Sequence, residues 1–140
     1  MDSSVKTIKA HFKKWELNNP YNLVSTARKG VQAKFFYEFA VMAKLSEKTL
    51  AGIINLSART VSNYKEQNKT LEPVYSEHLL KLINLFEKGE IAFGTIDEFN
   101  YWLKKPFWKS KETPIDWIVT SGGVDLVSKE LDKLMMGYPV

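Results

Sequence analysis

Arg59, Thr60, Ser62, Asn63 and Lys65 surround two larger residues, Val61 and Tyr64, that lie three positions apart. In a helix that spacing turns Val61 and Tyr64 to one side and leaves the polar residues, with Ala58, on the other. Arginine and asparagine can each pair bidentately with a base edge, guanine and adenine respectively. Small hydroxyl side chains let such a helix lie deep in the major groove. The chemistry is therefore hydrogen-bond readout of DNA. Arg59, Thr60 and Asn63 are the expected base contacts, with Ser57 and Ser62 beside them. Lys44, Lys48, Lys65 and Lys69 are the expected phosphate contacts, since neutralised phosphates supply most sequence-independent affinity.

Other chemistries find little support. There is no cysteine, hence no disulfide, no thiolate metal site and no cysteine nucleophile. His11 and His78 each lack a ligand-type partner one helical turn away. Asp97-Glu98 reads as a helix-start pair favoured by the helix dipole, not as an acid/base dyad. Gly122-Gly123 lacks the spacing of a phosphate loop. The chain is not expected to be an enzyme, and no cofactor or metal is expected.

Positioning such a face requires a helix-turn-helix. Ser46, with Thr49 three residues on, starts a helix carrying Leu50, Ile53 and Ile54. Ala51 must be small because the next helix crosses close to it. Asn55 sits where the turn requires a positive φ, which asparagine tolerates. Leu56 plugs the turn and Ser57 caps the following helix, Ala58 to Gln67.

Helical patterns continue on both sides. Val5, Ile8, Phe12 and Trp15 form one helical face, stopped at Asn18-Asn19-Pro20. The stretch from Asn18 to Gly30 is expected to be a loop. Gln32 to Lys44 carries Phe35, Phe36, Phe39, Ala40 and Ala43. A leucine-rich helix follows Pro73, with Leu79, Leu80, Leu82, Ile83, Leu85 and Phe86. Thr95 opens a helix with Phe99, Trp102 and Leu103. Thr113-Pro114-Ile115-Asp116 opens another, expected to end at Gly122-Gly123. A last helix, Val124 to Met136, is expected to bury Val124, Val127, Leu131, Leu134 and Met135, with Gly137 as its cap. No alternating strand pattern of useful length occurs, so the expected class is all-α.

Charge is uneven along the chain. Residues 1–70 hold 12 Lys and Arg against 5 Asp and Glu, and residues 71–140 hold 8 against 11. A basic half and a mildly acidic half point to two surfaces with different partners. No apolar run approaches a membrane span, and no signal-peptide block opens the chain; no membrane association and a cytoplasmic location are the expectation. Phe107, Trp108, Trp117, Met135, Met136, Tyr138 and Val140 make the C-terminal region unusually apolar. Trp117 is expected inside and the tail from Met135 to Val140 outside, as a protein-binding surface.

Taken in order, these motifs resemble the Xre/MbcA/ParS antitoxin family of bacterial toxin–antitoxin pairs. The resemblance spans roughly residues 30–140. It rests on Leu50-Ala51, Leu56 to Val61 and Tyr64, on Ser76 to Leu82, on Phe93-Gly94, on Thr113 to Ile118, and on Leu134 to Tyr138. It implies an Xre-like DNA-binding part over 30–92 and a toxin-binding part over 93–140, with residues 1–29 an extension of unknown role. It further implies neutralisation of a co-encoded toxin, commonly a RES-domain protein that consumes NAD⁺, and repression of the protein's own operon. Ser57 to Asn63 match the recognition helix. Thr113, Pro114, Asp116 and Trp117 match the family's C-terminal block, and Leu134, Met135, Met136, Tyr138, Pro139 and Val140 match the tail presented to toxin. Asn55 replaces the usual turn glycine, and the recognition helix carries a single arginine. A homodimer is expected, because two operator half-sites need two recognition helices. The alternative is a stand-alone repressor whose C-terminal part serves only dimerisation.

Overall fold

A computed structural model describes residues 7–106 and 110–137. Among these the regular structure is helical: α1 (Ile8–His11), α2 (Pro20–Lys29), α3 (Lys34–Ala43), α4 (Glu47–Ile53), α5 (Ala58–Glu66), α6 (Pro73–Phe93), α7 (Ile96–Leu103), α8 (Pro114–Trp117) and α9 (Ser121–Met135). Val5, Phe107, Trp108, Tyr138, Pro139 and Val140 lie outside the described residues.

The long helix α6 is the axis. Leu79, Leu80, Leu82, Ile83, Leu85 and Phe86 are all buried, so it is apolar on nearly every side and needs cover all round. α2, α7, α9 and α1 supply that cover. One continuous core runs from Ile8 and Phe12, through Phe36, Phe39 and Phe86, to Val127 and Leu131. Phe39, Phe86 and Phe99 meet edge to face, at 5.3 and 5.0 Å between centroids.

Three sequence expectations are corrected here. The region Asn18–Gly30 is a helix, not a loop. Asn19 accepts from the Tyr21 and Asn22 amides, Pro20 occupies the first turn, and Leu23 and Ala27 are buried. The Asn-Pro pair, expected to stop a helix, instead starts one, because proline's missing N–H is harmless in a first turn. The face through Ile8, Phe12 and Trp15 is split: α1 is a single turn, followed by a 3₁₀ turn over Lys13–Trp15 that Glu16 closes at φ 48°. Gly122 and Gly123 do not end α8. That helix stops at Trp117, and the glycines form the first turn of α9 behind the Thr120 cap, whose hydroxyl accepts from the Gly123 amide at 2.9 Å.

His78 ties α6 to the segment after α8. Its Nε2–H donates to the Ile118 carbonyl at 2.8 Å. Burial, reinforced by the nearby Lys81 charge, lowers its pKa below the ordinary 6.5, although the backbone bond works the other way. The folded state therefore resists protonation that the unfolded chain accepts. Stability from neutral His78 is complete above about pH 6.5 and is lost as pH falls through the lower folded value. His78→Gln is expected to flatten the acid limb of a melting-temperature-against-pH curve. An unchanged limb would remove His78 as its source.

Candidate functional site

α4 and α5 form the helix-turn-helix. Ser46 caps α4 by accepting from the Thr49 amide at 3.0 Å, and Ser57 caps α5 by accepting from the Thr60 amide at the same distance. Asn55 takes φ 66°, and the Leu56 amide reaches back to the Ala51 carbonyl at 2.9 Å. Ala51 and Val61 are buried where the helices cross, and Tyr64 is half-buried.

Arg59, Ser62, Asn63, Lys65 and Lys69 are all exposed, as the spacing requires. Ser57 and Thr60 are different. Their hydroxyls pair with each other at 2.8 Å as part of the cap, while Ser57 stays exposed. Lys48 is exposed on α4. Lys44 is drawn elsewhere: its ammonium binds Asp97 on α7 at 2.9 Å.

Lys81, Lys88 and Lys133 each contact a carboxylate, with Lys81 bridging Glu77 and Asp125. Among the described residues Arg59, Lys48, Lys65 and Lys69 have no carboxylate partner within 4.0 Å. Lys65 and Lys69 rest instead on aromatic rings, over Tyr37 at 4.7 Å and Tyr64 at 5.9 Å. A cation held on a ring keeps its charge available to a phosphate, whereas one paired with a carboxylate does not. The exposed face of α5 and its flank therefore carry Arg59, Lys65 and Lys69 without a carboxylate partner within 4.0 Å, with Glu66 exposed beside Lys65.

Beyond α7 a second surface forms around the α8–α9 junction. Thr113 and Asp116 hold each other: the Thr113 amide and hydroxyl both donate to Asp116 Oδ2, at 2.9 and 3.0 Å. Trp117 is not inside, as the sequence reading expected, but 36% exposed. Ile118, the next residue, is buried in its place. Trp117, Val119 and Leu126 line a shallow groove with Glu112 and Asp116 at its edge. Met135 is also outward, at 51%, with Met136 at 70%, while Leu134 is half-buried.

The two surfaces are physically joined. The Asn55 side-chain amide donates to the Val119 carbonyl at 3.0 Å. The turn residue thus does more than adopt a positive φ. No local pattern could reveal that contact, which spans 64 positions.

Residues 23–84 match the family model of the antitoxin Xre-like helix-turn-helix domain. The chain carries an Xre-like antitoxin helix-turn-helix domain. No curated protein matches the sequence. The Xre-like domain begins inside α2 and ends inside α6, and so contains α3, α4 and α5 whole. Its closing loop is held against its opening: Val31 receives from the Leu71 amide at 2.8 Å, and Ser76 bonds both Val31 and Leu71 at 2.9 Å. Gly30, at φ 89°, lies where a side chain would strike Thr70 and the Leu71 carbonyl. Sequence reading missed one residue of this domain, Tyr37. It was masked by its neighbours Phe35, Phe36 and Phe39, which carry the apolar pattern.

Proposed function

We propose that the protein is a DNA-binding antitoxin. It represses its own operon through α5 and neutralises a co-encoded toxin through its C-terminal part. The observation that carries the reading is the exposed, unpaired basic face of α5 within an Xre-like antitoxin domain. Arg59 and Asn63 read bases, Ser62 lies between them, and Lys48, Lys65 and Lys69 meet phosphates. Operator binding uses a homodimer, which presents two recognition helices to two half-sites. The toxin, by the family resemblance a RES-domain protein, is held by Trp117, Leu134, Met135 and Met136 together with the tail Tyr138, Pro139 and Val140. Thr113 and Asp116 act there by holding α8 in shape. The exposure of Trp117 at one end of α9 and of Met135 and Met136 at the other supports this, because large exposed apolar side chains mark interaction surfaces.

Arg59→Ala is expected to weaken binding to the DNA upstream of the gene by about 1–3 kcal/mol while leaving melting unchanged. Unaltered affinity would remove α5 as the reading helix. Deleting residues 135–140 is expected to leave the fold intact and abolish growth rescue on co-expression with the neighbouring gene product. Full rescue by the truncated chain would reject the tail as the inhibitory element, whereas no rescue by the full-length chain would favour a stand-alone repressor.

A further inference from the structure

Tyr37 lies on α3, outside the two helices of the motif, yet it meets the recognition helix at an outward residue, Lys65. The Lys65 ammonium sits 4.7 Å from the centre of its ring. The ring is itself fixed, half-buried and edge-on to Phe36 at 5.1 Å and 76°. Burial, with the carboxylates of Glu47 and Glu66, keeps the phenol above its ordinary pKa, against the pull of Ser62. It therefore remains an uncharged O–H beside a basic surface.

A free surface lysine samples many rotamers, and ordering it against a phosphate opposes binding. A lysine already laid on an aromatic face has lost much of that freedom before DNA arrives. Lys65 has no carboxylate partner among the described residues, so the ring is what orders it.

We propose that Tyr37 is a positioning residue for DNA binding, its ring holding the Lys65 ammonium at the backbone-facing edge of the recognition helix. The proposal rests on the DNA-binding reading above. Its distinguishing feature is that Tyr37 acts through Lys65, not by contacting DNA and not merely by supporting α3.

The test is a double-mutant cycle read by fluorescence anisotropy on a labelled duplex from upstream of the gene, across a series of KCl concentrations. The proteins are wild type, Tyr37→Phe, Tyr37→Met, Lys65→Gln and Tyr37→Met/Lys65→Gln. Lys65→Gln is expected to make the slope of log K against log salt shallower by about 0.9, one phosphate contact. Tyr37→Met is expected to lose roughly three- to tenfold in affinity alone and nothing further in the Lys65→Gln background. Tyr37→Phe retains the ring and is expected to restore wild-type affinity. Losses that multiply in the double variant, or an unaffected Tyr37→Met, would overturn the proposal. Should Tyr37→Met not fold, the ε-methylene proton resonances of Lys65 in wild type decide: they are expected to be shifted by the ring current, and unshifted resonances would overturn it. A wild-type protein with no salt-dependent binding would overturn the DNA-binding reading as well, which separates that failure from this one.

Discussion

Gly123→Ala is expected to destabilise the protein severely, while Gly122→Ala one position earlier is expected to be neutral or slightly stabilising. The two glycines are adjacent in the first turn of α9, and sequence alone treats them alike. A Cβ on Gly123 would be driven onto the carbonyl oxygen of Trp117, which is backbone and cannot rotate away. A Cβ on Gly122 meets nothing within 4 Å. Relieving the first clash means parting α8 from α9, which also strains the His78–Ile118 bond and the Asn55–Val119 bond. Overpacking of this kind costs about 3 kcal/mol. At roughly 3–4 °C per kcal/mol for a chain of this size, melting should fall by about 10 °C. Gly122→Ala instead gains from alanine's better helix propensity, by up to about 1 kcal/mol. Thermal melts of the two variants side by side check both. Equal effects would mean that the α8–α9 junction is not packed as described.

Phe99→Ala should have an equal or larger effect. Phe99 is fully buried, edge-on to Phe86 and stacked with Trp102 at 5.9 Å. Its ring fills the notch left by the missing side chain of Gly89 on α6. Truncation would leave a void between α6 and α7 that rigid helices cannot close, at a cost of about 3–5 kcal/mol. Tyr101→Ala on the same helix is the control. Tyr101 is 62% exposed, and its loss should change stability by no more than about 0.5 kcal/mol. Chemical denaturation of both variants measures the difference. A small effect for Phe99→Ala would show that the aromatic cluster repacks. Because α7 also anchors Lys44 through Asp97, its loosening would reach the edge of the Xre-like domain.

Much of the helix-turn-helix was legible because its rules are local. The serine caps at Ser46 and Ser57, the positive φ of Asn55, the small Ala51 and the inward pair Val61 and Tyr64 each follow from residues within one or two helical turns. The helical class and the outward face of α5 followed for the same reason. Errors arose where a local signal had two meanings. Asn-Pro can end a helix or begin one, and a glycine pair can close a helix or open one. Only the burial of Leu23 and Ala27, and the approach of Gly123 to Trp117, separate the meanings. The C-terminal groove shows the same limit. Trp117 and Met135 have the side chains of core residues, and their exposure depends on where α8 and α9 stop and how they lie on α6.

By itself the sequence determined which segments are helices around the DNA-reading motif, and that its flank is basic, since caps, turns and charge counts depend on near neighbours alone. Tertiary structure alone decided which of those charges stay unpaired. Asp97 draws off Lys44 from 53 positions away, while Tyr37 holds Lys65 without neutralising it. It also decided that the turn of the motif touches the C-terminal groove, through Asn55 and Val119. The physical reason is that ion pairing, ring contacts and close backbone approach act over a few ångströms in space, and only the packing around α6 brings distant residues within that reach.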